Sequence, residues 1–475
     1  MKEKNNSVLL INPPENSPGR KTSAPLGLMY IAGVLQRNNV SVHIVDAFLD
    51  GWDSVLKKVQ EYHPGFVGIS CPTYARIQAI KAAETVKKHF PEITIILGGH
   101  HPTLMGEQLL VNYPFIDLVA IGEGEYLMLD LCLGKNPEEI LGLGYRKNGR
   151  IIINKPRPNI ENLDDLPLAA WNLVEPKRYG THSDFTYEGV DLAKEAGADI
   201  SFSRGCIGRC NFCSNFVMWK KWRHRSPIKV VDEIEFLNHE YGIRCFQFND
   251  DCFSVDKKAT LELCAEITKR KLRILFCIVT RADCIDEVLL KALKEAGCYM
   301  ISFGIETASP RLLKIMHKTI KPEVSEKAIQ LANSFNIKTV ALVIAGCIGE
   351  NWKTINETID FLNKAKPAIV DVANGLRIFP GTELFSLAKG KGAINEDFWL
   401  TDYNWKIYTK EVSRLKLNIF TTALQKRKKL SRLMFVNYIH YHKFITKEIE
   451  YFFKNLLRKA GINRKKRKNK VKVAY

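Results

Sequence analysis

The run Asp199-Ile200-Ser201-Phe202-Ser203-Arg204-Gly205-Cys206-Ile207-Gly208-Arg209-Cys210-Asn211-Phe212-Cys213 decides how this chain is read. Asp199–Ser203 has the pattern of a strand, and directly beyond its carboxyl end stand three cysteines in C-x3-C-x2-C spacing. Three thiolates on one short loop can hold three irons of a four-iron cubane. The absence of a nearby fourth cysteine leaves one iron open to a ligand, as a catalytic metal site requires. The alternative is a structural zinc site completed by His224. Zinc ligands usually come as two separated couples, which counts against it.

Outward from that loop, strands are expected at Asp199–Ser203, Cys245–Asn249, Ile274–Thr280, Tyr299–Gly304, Thr339–Ile344 and Val370–Asn374, with helical patterns between them. One such helix is Pro227–Tyr241, where Ser226 can cap and Pro227 suits the first turn. Six strand-helix units predict an open (β/α)6 partial TIM barrel over residues 196–390, with its chemistry at the carboxyl ends of the strands. Residues 1–135 show a second alternation, with strands at Val8–Asn12, Val42–Asp46, Phe66–Ser70, Thr94–Leu97 and Leu118–Ile121. This predicts a five-stranded doubly wound Rossmann-like domain, and the whole chain is therefore of the α/β class. Residues 136–195, rich in Pro, Asn and Asp, read as a linker with a small hairpin near Arg150.

The chain has 475 residues and a net charge of +19, but residues 401–475 alone hold 21 Lys/Arg against 4 Asp/Glu. The basic character thus belongs to the last segment, 391–475, which reads as a helical extension with a charged end. Val8–Ile11 is shorter than the roughly 7–15 apolar residues of a signal-peptide core. Val340–Ile348 falls short of the roughly 20 needed to span a bilayer. A cytoplasmic location follows as the expectation, and there the 12 cysteines read as thiols and metal ligands rather than disulfides.

Other strand ends carry candidates. Glu306 in Gly304-Ile305-Glu306 and Arg281 after the third barrel strand suit either a ligand or an ordinary salt bridge. Gly346 and Gly349 in Ile344-x-Gly346-x-x-Gly349-Glu350, and Phe379-Pro380-Gly381, read alone as tight turns. Asn249-Asp250-Asp251 suits cofactor or substrate hydrogen bonding, or helix capping. Cys245, Cys264, Cys277 and Cys298 lie on apolar faces and read as core residues. In the first domain, Gly98-Gly99 and Gly122-x-Gly124 remove side chains at strand ends, so a nucleotide tail can approach the backbone. That feature alone equally suits a flavodoxin-like or mononucleotide-binding domain.

Cys206, Cys210, Phe212 and Cys213 resemble the motif of the radical S-adenosylmethionine superfamily, with its aromatic residue before the last cysteine. The resemblance implies a 4Fe-4S cluster on the three cysteines. Its open iron chelates S-adenosyl-L-methionine, and electron transfer to the sulfonium yields a 5′-deoxyadenosyl radical. It further implies that Phe212 lies near the adenine, that Gly304 and Glu306 receive the methionyl ammonium, that Arg281 pairs with the methionyl carboxylate, and that Gly346 and Pro380 approach the adenine.

Asn12-Pro13-Pro14, Ser70-x-x-Thr73, Gly98-Gly99-His100-His101 and Gly122-Glu123-Gly124 resemble the cobalamin-binding domain that precedes the barrel in class B members of that superfamily. The two resemblances together cover roughly residues 5 to 390. The second implies cobalamin contacts from Ser70, Thr73, Gly98, Gly99, His100, Gly122 and Gly124, with His100 and His101 at the corrin rim or nucleotide tail and Cys71–Tyr74 at the lower face. Cobalamin domains that supply a histidine to cobalt carry D-x-H-x-x-G. Here Asn12-Pro13-Pro14-Glu15 follows the first strand, and Phe48 stands where Asp46-Ala47-Phe48-Leu49-Asp50-Gly51 would need the His, so no histidine ligand is expected.

The resemblance implies a cobalamin-dependent radical methyltransferase acting on an unactivated carbon through a 5′-deoxyadenosyl radical and methylcobalamin. A cyclase without methyl transfer, as in anaerobic magnesium-protoporphyrin monomethyl ester cyclase, is the alternative. A transfer-RNA methylthiotransferase ranks below both, because its N-terminal domain is cysteine-rich whereas this one has only Cys71 and Cys132. Nucleic acid is accordingly not expected as a partner, and a cobalamin sensor would need neither the cysteines nor Glu306. The implied partners are a small-molecule or lipid substrate and an electron donor such as flavodoxin or ferredoxin. Aromatic and basic residues interleave from Lys426-Arg427-Lys428-Lys429 through Phe435, Tyr438, Tyr441 and Phe444 to Tyr451-Phe452-Phe453, which suits peripheral contact with the inner membrane surface. A helix packed on the barrel with a solvated charged face is the alternative.

Overall fold

In the computed structural model, which describes residues 6–14, 23–181, 183–395, 397–401, 407–408 and 412–429, the first alternation forms one sheet. Its strands are β1 (Val8–Asn12), β2 (Val42–Asp46), β3 (Phe66–Ser70), β4 (Thr94–Gly98), β5 (Leu118–Ala120), β6 (Leu143–Lys147) and β7 (Arg150–Ile153). Their order is β2-β1-β3-β4-β5-β6-β7, and the first five are parallel. Helices cover both faces, so the strands read as nearly unbroken apolar runs; Val8, Leu9, Leu10 and Ile11 are all at most 1% exposed. The order reverses between β1 and β3, which opens a crevice at their carboxyl ends.

The sheet has seven strands rather than the expected five, because the hairpin near Arg150, read as part of the linker, pairs antiparallel with β5. That pairing covers an edge which would otherwise present unpaired backbone groups. Arg146 of the hairpin reinforces it by donating to the carbonyls of Leu110, Tyr113 and Ile116.

The second sheet contains β8 (Gly197–Ile200), β9 (Cys245–Phe248), β10 (Leu275–Thr280), β11 (Cys298–Glu306), β12 (Lys338–Ala345) and β13 (Ile369–Asn374), parallel and in sequence order. This is the six-stranded open barrel. Its first strand ends three residues earlier than expected. The Asp250 carboxylate accepts from the backbone N–H groups of Phe202 and Ser203 and turns the chain away from the sheet. Cys245, Cys264, Cys277 and Cys298 are buried, as core residues should be.

The segment after 390 does more than extend the chain. Trp399 is 0% exposed and packs in the core that joins the first domain to the barrel, edge-on to His101 at 6.3 Å, where its carbonyl accepts from Arg76 Nε at 2.9 Å. The helix Arg414–Lys426 buries Leu417, Phe420, Ala423 and Leu424 against the barrel, with Phe420 edge-on to Trp352 at 4.8 Å. Fully burying each large apolar side chain contributes about 1.5–3 kcal/mol, so this helix is a structural part of the barrel. Lys429 pairs with Asp360 at 2.8 Å. The aromatic and basic residues from Phe435 to Phe453 lie outside the described residues. Among the described residues no helix is long and apolar enough to cross a membrane.

Candidate functional site

The three cysteines sit on a loop beyond β8, each half-buried and none in a disulfide. Asn211 anchors the loop: its N–H donates to Met316 O at 3.2 Å, its Nδ2 to Ile315 O at 2.7 Å, and its carbonyl accepts from Leu384 N at 3.0 Å. Asp251 holds the other side by accepting from Asn215 Nδ2. The loop wraps around Gly208, where a Cβ would lie 3.5 Å from Cys206 Sγ, 3.9 Å from Cys210 Sγ and 3.1 Å from Arg281 Nη1. This cradle, kept clear by a glycine and rimmed by sulfurs outside any disulfide, fits a polynuclear iron–sulfur group. Among the described residues no three His, Cys, Asp or Glu side chains are placed to hold a single metal ion. His224 is turned elsewhere: its Nδ1 lies 2.8 Å from Arg225 O and its ring packs on Trp222. The thiols are held well above their usual range, Cys206 by a hydrogen bond with Cys252 and by burial, Cys213 by burial to about 12. Loading with metal therefore displaces protons.

Glu306, at the end of β11, adopts φ +61 where the register with β12 slips. Its Oε1 accepts from Lys318 Nζ at 2.8 Å. Burial pushes the Lys318 ammonium down, but the adjoining Glu306 outweighs it and the net shift is upward. Arg281, after β10, reaches the cysteine loop, yet its fork is engaged by Asp283 at 3.0 and 2.6 Å.

The carboxyl ends of both sheets open onto one cavity of about 1220 Å³, above the roughly 300–1,000 Å³ of ordinary small-molecule pockets. From the first domain, Ser70, Gly98, Gly99, His100, Gly122 and Gly124 line it. Phe48, standing in the place of a histidine, faces it as well. The opposite wall carries Met218 and Trp219, from the short helix after Cys213, together with Asn249, Asp251 and Arg204. Gly99 adopts φ +103 and ψ −164, a backbone conformation essentially restricted to glycine, and this lets the β4 loop turn into its helix beside the cavity. The room and the bare strand ends fit a large nucleotide-tailed cofactor.

A buried ionic network ties the two walls together. Arg204, two residues before Cys206, donates to Glu123 at 2.6 Å and Glu125 at 2.7 Å in the β5 loop. Arg223 adds a contact to Glu123 at 3.1 Å. Arg204 lies over Tyr30 and Trp219, and Trp219 meets His100 edge-on at 6.4 Å.

The structure gathers most of the expected residues, though not all of them. His101 is 0% exposed, packed on Trp399 away from the cavity, and burial lowers its pKa to about 3. Thr73 is buried. Phe212 packs against the core that joins the first domain to the barrel. A Cβ on Gly346 would meet Leu417 of the last helix at 2.8 Å, and its N–H donates to Glu350. Pro380 is buried, next to Gly381, where a Cβ would lie 2.9 Å from Leu104. Asp250 holds the β8 turn instead of capping a helix; Asp256 caps the following one. Sequence reasoning missed Lys318, Trp219 and the Arg204 network. The acidic pair flanking Gly124 was the one visible signal for that network.

Residues 200–362 match the radical SAM superfamily and residues 20–131 the B12-binding domain. An uncharacterized methyltransferase of Pyrococcus horikoshii is 31% identical over 455 residues, covering 93% of this chain and 94% of that protein. An anaerobic magnesium-protoporphyrin IX monomethyl ester cyclase of Rubrivivax gelatinosus is 32% identical over 383 residues, 77% of this chain and 67% of that protein. Among solved structures, the cobalamin-dependent S-adenosylmethionine radical enzyme OxsB has the same fold at TM-score 0.71 and 18% identity, covering 88% of this chain and 66% of that one. The radical S-adenosylmethionine methyltransferase TsrM from Kitasatospora setae gives TM-score 0.66 at 20% identity, covering 81% and 76%.

Proposed function

Because this chain belongs to the radical SAM superfamily, in the branch with a B12-binding domain ahead of the barrel, we propose that it is a cobalamin-dependent methyltransferase acting on an unactivated carbon of a small molecule. The observation that carries this reading is the shared cavity, onto which the residues flanking the cysteine loop (Arg204 before it, Met218 and Trp219 after it) and the glycine-lined strand ends both open. Bound on the cysteine loop, an iron–sulfur cluster with S-adenosylmethionine would supply a hydrogen-abstracting radical, and cobalamin bound in the cavity would supply a transferable methyl group.

The protein's own part is to hold these groups and keep them dry. Cys206, Cys210 and Cys213 hold the cluster, and Glu306 receives the methionyl ammonium through a charge-assisted hydrogen bond. Ser70, Gly98, Gly99, His100, Gly122 and Gly124 face the corrin or its tail. Trp219 and Met218 place apolar surface between the two halves, and the Arg204 network fixes their spacing. No general base is needed for this chemistry. The reductant is a low-potential one-electron donor of the flavodoxin or ferredoxin kind.

The 32% identity to the cyclase favours a second reading, in which both cofactors serve but no methyl group moves. Anaerobic incubation of the reconstituted protein with cobalamin, S-adenosylmethionine and a reductant separates the two. The methyltransferase forms S-adenosylhomocysteine as well as 5′-deoxyadenosine, and the latter disappears in Cys206→Ala. Formation of 5′-deoxyadenosine alone would overturn methyl transfer and leave the cyclase-like reading.

A further inference from the structure

Two cysteines outside the C-x3-C-x2-C run stand beside it. Cys252, just past Asp251 at the end of β9, is 0% exposed, and its thiol hydrogen-bonds with Cys206 on one side and Cys284 on the other. The surrounding chain fixes its place. Its carbonyl accepts from Trp222 Nε1 at 2.9 Å, the N–H of Phe253 donates to Val279 O at 3.0 Å, and its Sγ lies 3.7 Å from Thr280 Oγ1. Cys284 comes from the turn after β10, where its N–H donates to Arg281 O at 3.1 Å and its Sγ lies 3.9 Å from Asp283 Oδ1. The ends of β9 and β10 and the cysteine loop thus set three sulfurs in a row, Cys206, Cys252 and Cys284.

The row leads outward. Apart from Cys206, Cys210 and Cys213, Cys284 is the one cysteine among the described residues that is not buried. With iron on those three, a thiol reagent in solution meets Cys284 first, and a mixed disulfide formed there has Cys252 as its hydrogen-bonded neighbour. That hydrogen bond also holds the Cys284 thiol below its ordinary range, against the effect of burial, which favours the attacking thiolate.

We propose that Cys252 and Cys284 are a redox-modification site, a dithiol that low-molecular-weight disulfides convert to a protein disulfide beside Cys206. The Cys284 thiolate attacks one sulfur of the reagent, breaks its S–S bond and expels a thiolate; Cys252 then attacks the Cys284 sulfur and expels the second. Two protein thiols are oxidised, one reagent disulfide is reduced, and the two protons leave on the released thiols. The two states differ at Cys206. While Cys252 keeps its S–H, the Cys206 sulfur has a donor beside it; the disulfide has no S–H to give. A donor to a cluster sulfur favours the more negative, reduced cluster, so the disulfide makes a cluster on these cysteines harder to reduce. This consequence, unlike the pairing itself, rests on the radical SAM reading above.

The test is anaerobic treatment of the cluster-loaded protein with oxidised glutathione, then alkylation under denaturing conditions and peptide mapping, with a redox titration of the cluster by electron paramagnetic resonance before and after. The expected result is Cys252 joined to Cys284, release of reduced glutathione, and a reduction potential shifted downward that returns to its starting value with dithiothreitol. Cys284→Ser forms no disulfide, and oxidised glutathione leaves its potential where it was. Cys252→Ala shows the lowered potential with no oxidant added. Cluster content is checked in each variant by iron and sulfide analysis, and should Cys252→Ala fail to fold, Cys252→Val is titrated with the same expectation. Cys252 open to alkylation while Cys284 carries glutathione, or a disulfide that forms between other cysteines instead, overturns the site. A Cys252–Cys284 disulfide with an unshifted potential overturns the link to Cys206 alone. A protein that forms this disulfide yet takes up no cluster overturns the radical SAM reading and leaves the pair standing.

Discussion

Replacing Arg204 with methionine removes the cation shared by Glu123 and Glu125 while keeping the length of the side chain. The three side chains are 12%, 3% and 5% exposed, so water offers the stranded carboxylates little. At 2.7 Å and an effective dielectric near 20, each contact is worth about 6 kcal/mol before desolvation. Lost hydration offsets much of that, and truncating one member of a buried pair typically costs about 3–5 kcal/mol. Glu123 keeps Arg223 and the Ile160 N–H, whereas Glu125 loses the one ion-pair partner found for it among the described residues. The loss should therefore fall mainly on Glu125, and Glu125→Gln in the Arg204→Met background should recover part of it. Urea unfolding of both single variants and the double variant measures a coupling of roughly 2–3 kcal/mol. A loss below about 1 kcal/mol in Arg204→Met, or strict additivity, would refute the idea that this network joins the two halves.

Trp399→Ala should cost about 3–5 kcal/mol by opening a cavity in the core that joins the first domain to the barrel, even though the residue lies about 250 positions beyond the first domain's last strand; denaturant midpoints check this, and an unchanged midpoint would show the segment to be loosely attached. Gly99→Ala forces a side chain into the φ +103 conformation at a strain of about 1–3 kcal/mol, so hydroxocobalamin titration should show weakened retention, and wild-type retention would count against the β4 loop as a cofactor wall. Burial raises the Asp199 carboxyl to about 7 despite the Ala24 N–H at 3.2 Å. The folded state thus holds this proton more tightly than the unfolded one, and the stability it lends is full below about pH 4 and lost as pH rises through about 7. Asp199→Asn should gain on wild type by a few kcal/mol between pH 5 and pH 8, whereas parallel pH profiles of unfolding would contradict that assignment.

The local features were legible. The cysteine spacing, the glycine pairs at strand ends and the six barrel strands depend on neighbours within one or two turns of chain, and each strand lies within a few residues of its expected position. What escaped depends on long-range pairing. Nothing in Leu143–Ile153 says which edge it will join, yet it completes the first sheet. Trp399 sits in a segment whose charge suggested a tail, and only the fold shows it closing a distant core. Lys318 has no motif. Its meeting with Glu306 depends on a left-handed turn at His317, a conformation that histidine enters more often than most non-glycine residues but that no neighbouring motif announces. Asp283, two residues past Arg281, was in plain view and pairs with that arginine at 2.6 Å.

Methyl transfer requires the cysteine loop and the glycine-lined strand ends of the cavity to hold their groups close together. Its most direct test is electron paramagnetic resonance of the anaerobically reconstituted protein, with the cluster reduced and the cobalamin in its cobalt(II) form, so that both groups carry an unpaired electron. The expected result is dipolar broadening of each signal by the other, absent when either group is left out and absent in Cys206→Ala. Two sharp, independent spectra at full occupancy of both groups would place them too far apart to share a reaction and would contradict it.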